Sequence, residues 1–259
     1  MERRGIIVIS SGTTDEKAIK MSIDVVENRI QNYFYDWEIR RAFTSEAIIN
    51  KLIDKSNIKI DTGEEAILKM LKEGFTYVIV QPLHIIPGIE YEKTAELVRK
   101  YKSKFKDIKL GRPVLYYDRD IKEAVEALNN QIYSIKEDEV VVLVAHGTKH
   151  NANIYYKKLQ EEIFRQGIKV YLVTLGEYPC IYDIMEKLKS NNIKNVVLVP
   201  YMLVCGEHGK KDICGEKEDS CRSLLEKEGF TVSLYLHGIG ENERYQEIYI
   251  DHIKDVIEE

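Results

Sequence analysis

The sequence predicts an α/β protein built as two similar, doubly wound parallel-sheet domains with a cleft between them. Short β-branched runs such as Ile6–Ile9 and Val140–Val144 have the composition of strands buried on both faces. They alternate with amphipathic helical stretches, four times in the first ~120 residues, as βαβ units do. The second half also repeats the first. IIVISSGTT lies on VLVAHGTK with Gly12 over Gly147, and VIVQPLHIIPGIE lies without gaps on VVLVPYMLVCGEH. That register puts Pro82 over Pro200, Gly88 over Gly206 and Glu90 over His208.

In order, Ile6–Ile9 reads as a strand, the small polar loop from Ser10 to Thr13 follows it, and a helical pattern runs to about Tyr33. Trp37–Phe43 reads as a strand, Glu46–Asp54 as a short helix, and Asp61 as the N-cap of a helix stopped by Gly74. Tyr77–Leu83 is the third strand; Pro87 and Gly88 mark a turn, with Glu90 near the start of a helix reaching about Phe105. A strand over Ile108–Leu115 and a helix over Asp120–Tyr133 complete the first half. In the second half the strands are Val140–Ala145, Lys169–Leu175, Asn195–Leu203 and Thr231–Leu236. Helices reach Gln166 and span Pro179–Asn191; Val204–Asp219 reads as a long loop, and a last helix starts near Glu241. The division falls at 1–124 and 125–259, the last helix going with the second half.

Bulk properties narrow the function. A hydrophobic content of 44% supplies a packed core, and a net charge of -5 without a long basic tract argues against a nucleic-acid or membrane-surface partner. The apolar run at the N-terminus stops at Ser10, too soon for a signal peptide, and no stretch approaches the ~20 residues of a membrane span, so a cytoplasmic protein is expected. Cys180, Cys205, Cys214 and Cys221 lack CxxC spacing and read as free thiols. A homo-oligomer is compatible with the sequence, which does not decide it.

In open parallel sheets, ligands bind at the carboxyl ends of the strands. Three residues of the second half sit there: His146 after its first strand, Glu177 after its second and His208 shortly after its third. Strands ~4.8 Å apart bring such ends together. Two imidazoles and a carboxylate form an open site suited to Co, Ni, Fe or Zn, although a lone loop histidine is as readily a solvated residue. The register aims Ser11 and Glu90 at the same cavity. His150 reads as a cavity or helix-start residue, and His84, among Leu83, Ile85 and Ile86, as a core histidine; His237 and His252 have no companions in sequence. Lys210 and Lys211 fall in the long loop, a solvated segment whose cations suit an anionic ligand. SSGTT lacks the glycine spacing of a nucleotide site, and Ser11 or Thr148 lacks the elbow of a hydrolase nucleophile.

Five segments together resemble one family. AHGTKHNAN at Ala145–Asn153, GEYP at Gly176–Pro179, LVCGEH at Leu203–His208, RAFTS at Arg41–Ser45 and QPLHIIPGIEYEK at Gln81–Lys93 resemble the sirohydrochlorin cobaltochelatases of the anaerobic cobalamin pathway. These are class II tetrapyrrole chelatases, and the likeness spans nearly the whole chain. The resemblance implies a chelatase-like fold, with the macrocycle between two α/β domains and Co²⁺ inserted without a redox or nucleotide cofactor. It also implies His146 as catalytic base and metal ligand, Glu177 and His208 as the other ligands, and Glu90 as an acidic group across the cavity. An imidazole with a reference pKa of about 6.5 suits the removal of pyrrole protons near neutral pH. The carboxylates of sirohydrochlorin would meet Lys149 and Lys210, with Ser11 and His150 nearby. The alternatives are nickel or iron insertion on the same scaffold, or a carrier that binds tetrapyrrole or metal without catalysis.

Overall fold

A computed structural model describes residues 2–131 and 138–259, the side chains of Asn130, Gln131 and His208 lying outside the description. The first half runs β1 (Arg4–Ser10), α1 (Glu16–Ala18), a π-helical turn (Ile19–Ile23), α2 (Asp24–Tyr33), β2 (Glu38–Phe43), α3 (Glu46–Ser56), β3 (Asp61–Thr62), α4 (Gly63–Lys72), β4 (Tyr77–Pro82), α5 (Ile89–Tyr101) and β5 (Asp107–Leu110). After α6 (Asp118–Gln131) come β6 (Glu139–Ala145), α7 (Asn153–Arg165), β7 (Val170–Thr174), α8 (Ile181–Ser190), β8 (Asn195–Pro200), α9 (Glu207–Cys214), α10 (Cys221–Lys227), β9 (Thr231–Leu234) and α11 (Glu243–Glu258).

All pairings are parallel, in the orders β3-β2-β1-β4-β5 and β7-β6-β8-β9. Each order reverses once, between β1 and β4 in the first sheet and between β6 and β8 in the second. The central strands are buried throughout their β-branched runs, as strands covered on both faces must be. One core joins the halves: Ile6, Val8 and Ile79 of the first sheet pack in the same cluster as Val141, Leu143 and Val199 of the second.

The internal duplication is visible in the backbone. Pro82 and Pro200 both close their strands, and Gly88 and Gly206 are the N-caps of α5 and α9. Gly12 and Gly147 both have positive φ, at +80° and +72°. A Cβ on Gly12 would lie 2.4 Å from Phe43, the last residue of β2, and one on Gly147 would lie 2.7 Å from Thr174, the last of β7. Both first strands therefore turn under the end of the strand beside them, with no room for a side chain.

Four sequence-based boundaries shift. Thr62, not Asp61, caps α4: it forms a capping box with Glu65, while Asp61 pairs with Lys69. β5 stops at Leu110 because Gly111, Arg112 and Pro113 follow, and the expected helix end at Tyr133 lies outside the described residues. The loop expected over Val204–Asp219 contains α9, so Lys210 and Lys211 are helical. A division at 124/125 runs through the middle of α6, which packs on both α7 and α11. The last helix returns to the first half, against α2, α6 and β4. There His252 Nε2 lies 3.1 Å from Asp120 Oδ2, both side chains being buried, and Tyr249 Oη donates to Leu83 O at 3.0 Å.

Candidate active site

The loops after β1, β4, β6 and β8 face one another across the cleft. They enclose a cavity of about 520 Å³ lined by Ser11 and Gly12, by Leu83 to Ile86 with Glu90, by His146 to Thr148, and by Tyr201 to Val204. Both points at which strand order reverses thus open onto a single space, of a size usual for small-molecule sites. Most of the wall area is apolar, with Ile23, Ile85, Ile86, Met202 and Leu203 among the residues that supply it.

Ser11, Glu90 and His146 share this cavity, as the sequence register predicts. Ser11 and His146 are exposed in it, and Glu90 is half-buried in the first turn of α5. Burial raises the Glu90 carboxyl, but the hydrogen bond and charge of Lys93 Nζ, 2.8 Å away, outweigh it and leave the pKa below the ordinary value. Glu90 is therefore a carboxylate held by a cation. It also borders a second cavity of about 380 Å³ between β2, α4 and α5.

The remaining predicted residues are placed as follows. Glu177 is half-buried in the turn after β7, where its carbonyl accepts from Thr174 Oγ1 at 2.8 Å; it does not line the cavity. His208 is the second residue of α9, the position Glu90 holds in α5, and its side chain lies outside the description. Among the described residues no three His, Cys, Asp or Glu side chains converge as a metal-holding group. Lys149 is exposed beyond the lining. Lys210 Nζ is 2.8 Å from Asp15 Oδ2, and His150 Nε2 is 3.1 Å from Glu92 Oε1.

The sequence reading of His84 as a core histidine missed its place on the cavity wall. Both ring nitrogens are shut away from solvent without a hydrogen-bond partner, and burial pushes the pKa down to about 4, against a smaller opposing pull from Glu90. The HII triplet around it signals only burial, which is why sequence reasoning stopped there. The cavity phenols Tyr91, Tyr156 and Tyr201 are pushed upward by burial and stay protonated at neutral pH. Proton acceptance at the cavity wall thus falls to imidazole and to Glu90.

Comparison with known proteins finds relatives along nearly the whole chain. The profile of the cobalt chelatase (CbiK) family matches residues 4–258. A sirohydrochlorin cobaltochelatase of Salmonella typhimurium is 30% identical over 255 residues, covering 98% of this chain and 97% of the relative. The sirohydrochlorin cobaltochelatase CbiKC of Nitratidesulfovibrio vulgaris is also 30% identical, covering 98% of this chain and 90% of its own. Among solved structures, SirB from Bacillus subtilis with Fe³⁺ superposes with a TM-score of 0.67 at 15% identity, over 98% of this chain and 95% of that one. CbiX, described as the terminal enzyme for siroheme biosynthesis in denitrifying bacteria, gives 0.58 at 11% identity, over 97% and 99%. At those identities the structural likeness establishes the fold.

Proposed function

The chain belongs to the CbiK family of cobalt chelatases, and from that premise we propose that it inserts Co²⁺ into sirohydrochlorin, a step of anaerobic cobalamin biosynthesis. It is a metal chelatase, a lyase, whose substrates are a tetrapyrrole and a divalent ion. The observation that carries the reading is the single apolar-walled cavity between two facing sheet ends, with His146 exposed in one wall and Glu90 in the other. A flat macrocycle needs apolar faces above and below it and a proton acceptor at its centre.

Insertion of M²⁺ expels two pyrrole N–H protons. We assign the first acceptor to His146, because it is exposed in the cavity and an imidazole with its ordinary pKa of about 6.5 can accept a proton near neutral pH. Glu90 faces it from the other half, and its contact with Lys93 keeps it ionised until a proton arrives. For the ion we retain His146 with His208 and Glu177. In support, β7, β6 and β8 are adjacent in the sheet, and each of these residues follows the carboxyl end of one of them. Three ligands leave positions open, so the ion can be handed to four pyrrole nitrogens rather than trapped. Among the described residues no helix is long and apolar enough to cross a membrane, and we take the cytoplasm as the site of action.

The test is an absorbance assay of purified protein with sirohydrochlorin and Co²⁺. Metallation of many equivalents of macrocycle per protein is the expected result. A spectral change that saturates at one equivalent would make the protein a carrier instead.

A further inference from the structure

Among the contacts of the described residues that cross the cleft, two occupy the same pair of positions in the duplicated halves. Asp15 lies three residues after Gly12, and His150 lies three after Gly147. Lys210 lies four residues after the capping Gly206, and Glu92 lies four after the capping Gly88. Lys210 of the second half meets Asp15 of the first at 2.8 Å, and His150 of the second half meets Glu92 of the first at 3.1 Å. Each contact joins the loop after one half's first strand to the helix that follows the other half's switch-point strand. The backbones are close at both places: a Cβ on Gly206 would lie 2.6 Å from Thr13 Oγ1, and one on Gly88 would lie 3.9 Å from Ala152.

The pseudo-symmetry holds in position and breaks in charge. Both acidic members belong to the first half and both basic members to the second. The contacts flank the cavity on opposite rims, since Ser11, Gly12 and Val204 line it beside one and Thr148, Tyr91 and Lys93 beside the other. We propose that Asp15 and Glu92 are placeholders: in the empty protein they occupy Lys210 and His150, and the peripheral carboxylates of an arriving polyanionic macrocycle displace them. Binding then breaks both cross-cleft contacts and opens the rims as the ligand enters. Exchanging one carboxylate for another on Lys210 involves little net change in Coulomb energy, and at His150, whose Nδ1 accepts from Ala152 N at 3.1 Å, it replaces one acceptor of the Nε2–H with another, so the partner swap is thermodynamically mild. The two acidic residues act as specificity determinants, because a macrocycle without carboxylates has nothing to offer in exchange.

This inference rests on the tetrapyrrole reading above, and its test separates the two. The KM for sirohydrochlorin is compared for wild type, Asp15→Asn, Glu92→Gln and Lys210→Met. Asparagine keeps the N-cap bond that Asp15 accepts from Ala18 N at 3.1 Å, so Asp15→Asn removes the charge without unravelling α1. Freeing Lys210 and His150 should lower KM about threefold to fivefold in Asp15→Asn and Glu92→Gln, while Lys210→Met raises it by a similar factor. The two ends of one ion pair thus move KM in opposite directions, which a merely structural bridge cannot do. Shifts of the same sign in Asp15→Asn and Lys210→Met, or no shift in either, overturn the inference while leaving the function standing. Absence of turnover in the wild type overturns both.

Discussion

The two halves bring one backbone plan to the cleft and put different chemistry on it. After the first strand of each, a positive-φ glycine turns the chain under its neighbour; after the switch-point strand of each, a glycine caps a helix. On these matched frames the first half carries Ser11 and Glu90, and the second carries His146 and His208. The lesson is a division of labour. The second half offers the borderline nitrogen donors His146 and His208, and the first offers Ser11, Glu90 and more of the apolar wall. A duplicated scaffold supplies two facing switch points, and side-chain divergence makes their meeting place an asymmetric site.

The sharpest way to break this comparison is at Ser11 and His146. His146→Ala should lower the insertion rate 10²- to 10⁴-fold, while Ser11→Ala, at the matching position, should cost less than about tenfold. Equal losses, read in initial-rate assays on folded variants, would mean that the halves share the chemistry. Next come the matched helix positions. Glu90→Gln should slow turnover by about 10²-fold without changing Co²⁺ affinity, and His208→Ala should weaken Co²⁺ binding about tenfold or more, both measurable by metal titration.

A third prediction concerns stability. Between about pH 6.5 and 4 the unfolded chain protonates His84 and the folded protein does not. Unfolding therefore takes up a proton, and stability falls as pH drops through that window, by on the order of 3 kcal/mol in all. His84→Leu should flatten that slope in denaturant melts at a series of pH values and, by removing two unpartnered buried nitrogens, raise stability near pH 7 by about 1 kcal/mol. An unchanged slope would show that the imidazole gains a partner in solution. The smallest effect tests the shared backbone: Gly12→Ala and Gly147→Ala should each destabilise by about 1–2 kcal/mol, in parallel, because each forces a Cβ into the neighbouring strand end at positive φ.

What the sequence made legible was whatever local composition controls. β-branched runs located the central strands, and the glycine and proline register revealed the duplication and put Ser11, Glu90 and His146 on one cavity. Pairings between residues far apart in the chain stayed hidden. His252 looked companionless because Asp120 lies in another helix, and Lys210 looked like a solvated loop cation because its partner Asp15 is in the other half. α9 was invisible for a local reason: its sequence EHGKKDIC has a glycine inside and little apolar periodicity, so its docking on β8 and α10 fixes it as a helix.

The return of α11 to the first half affects how the protein is made. Glu243 follows Leu110, the last residue of the first sheet, by 133 positions. Tyr249, Ile253 and Val256 from that helix belong to the same buried cluster as Ile6, Val8 and Ile79. While a ribosome is still extending the chain, α2 covers part of this face of the amino-terminal sheet, and the part that α11 seals must wait for that helix of the second half. Translation speed, or a chaperone that shields the waiting face, should govern how much of the nascent protein escapes aggregation.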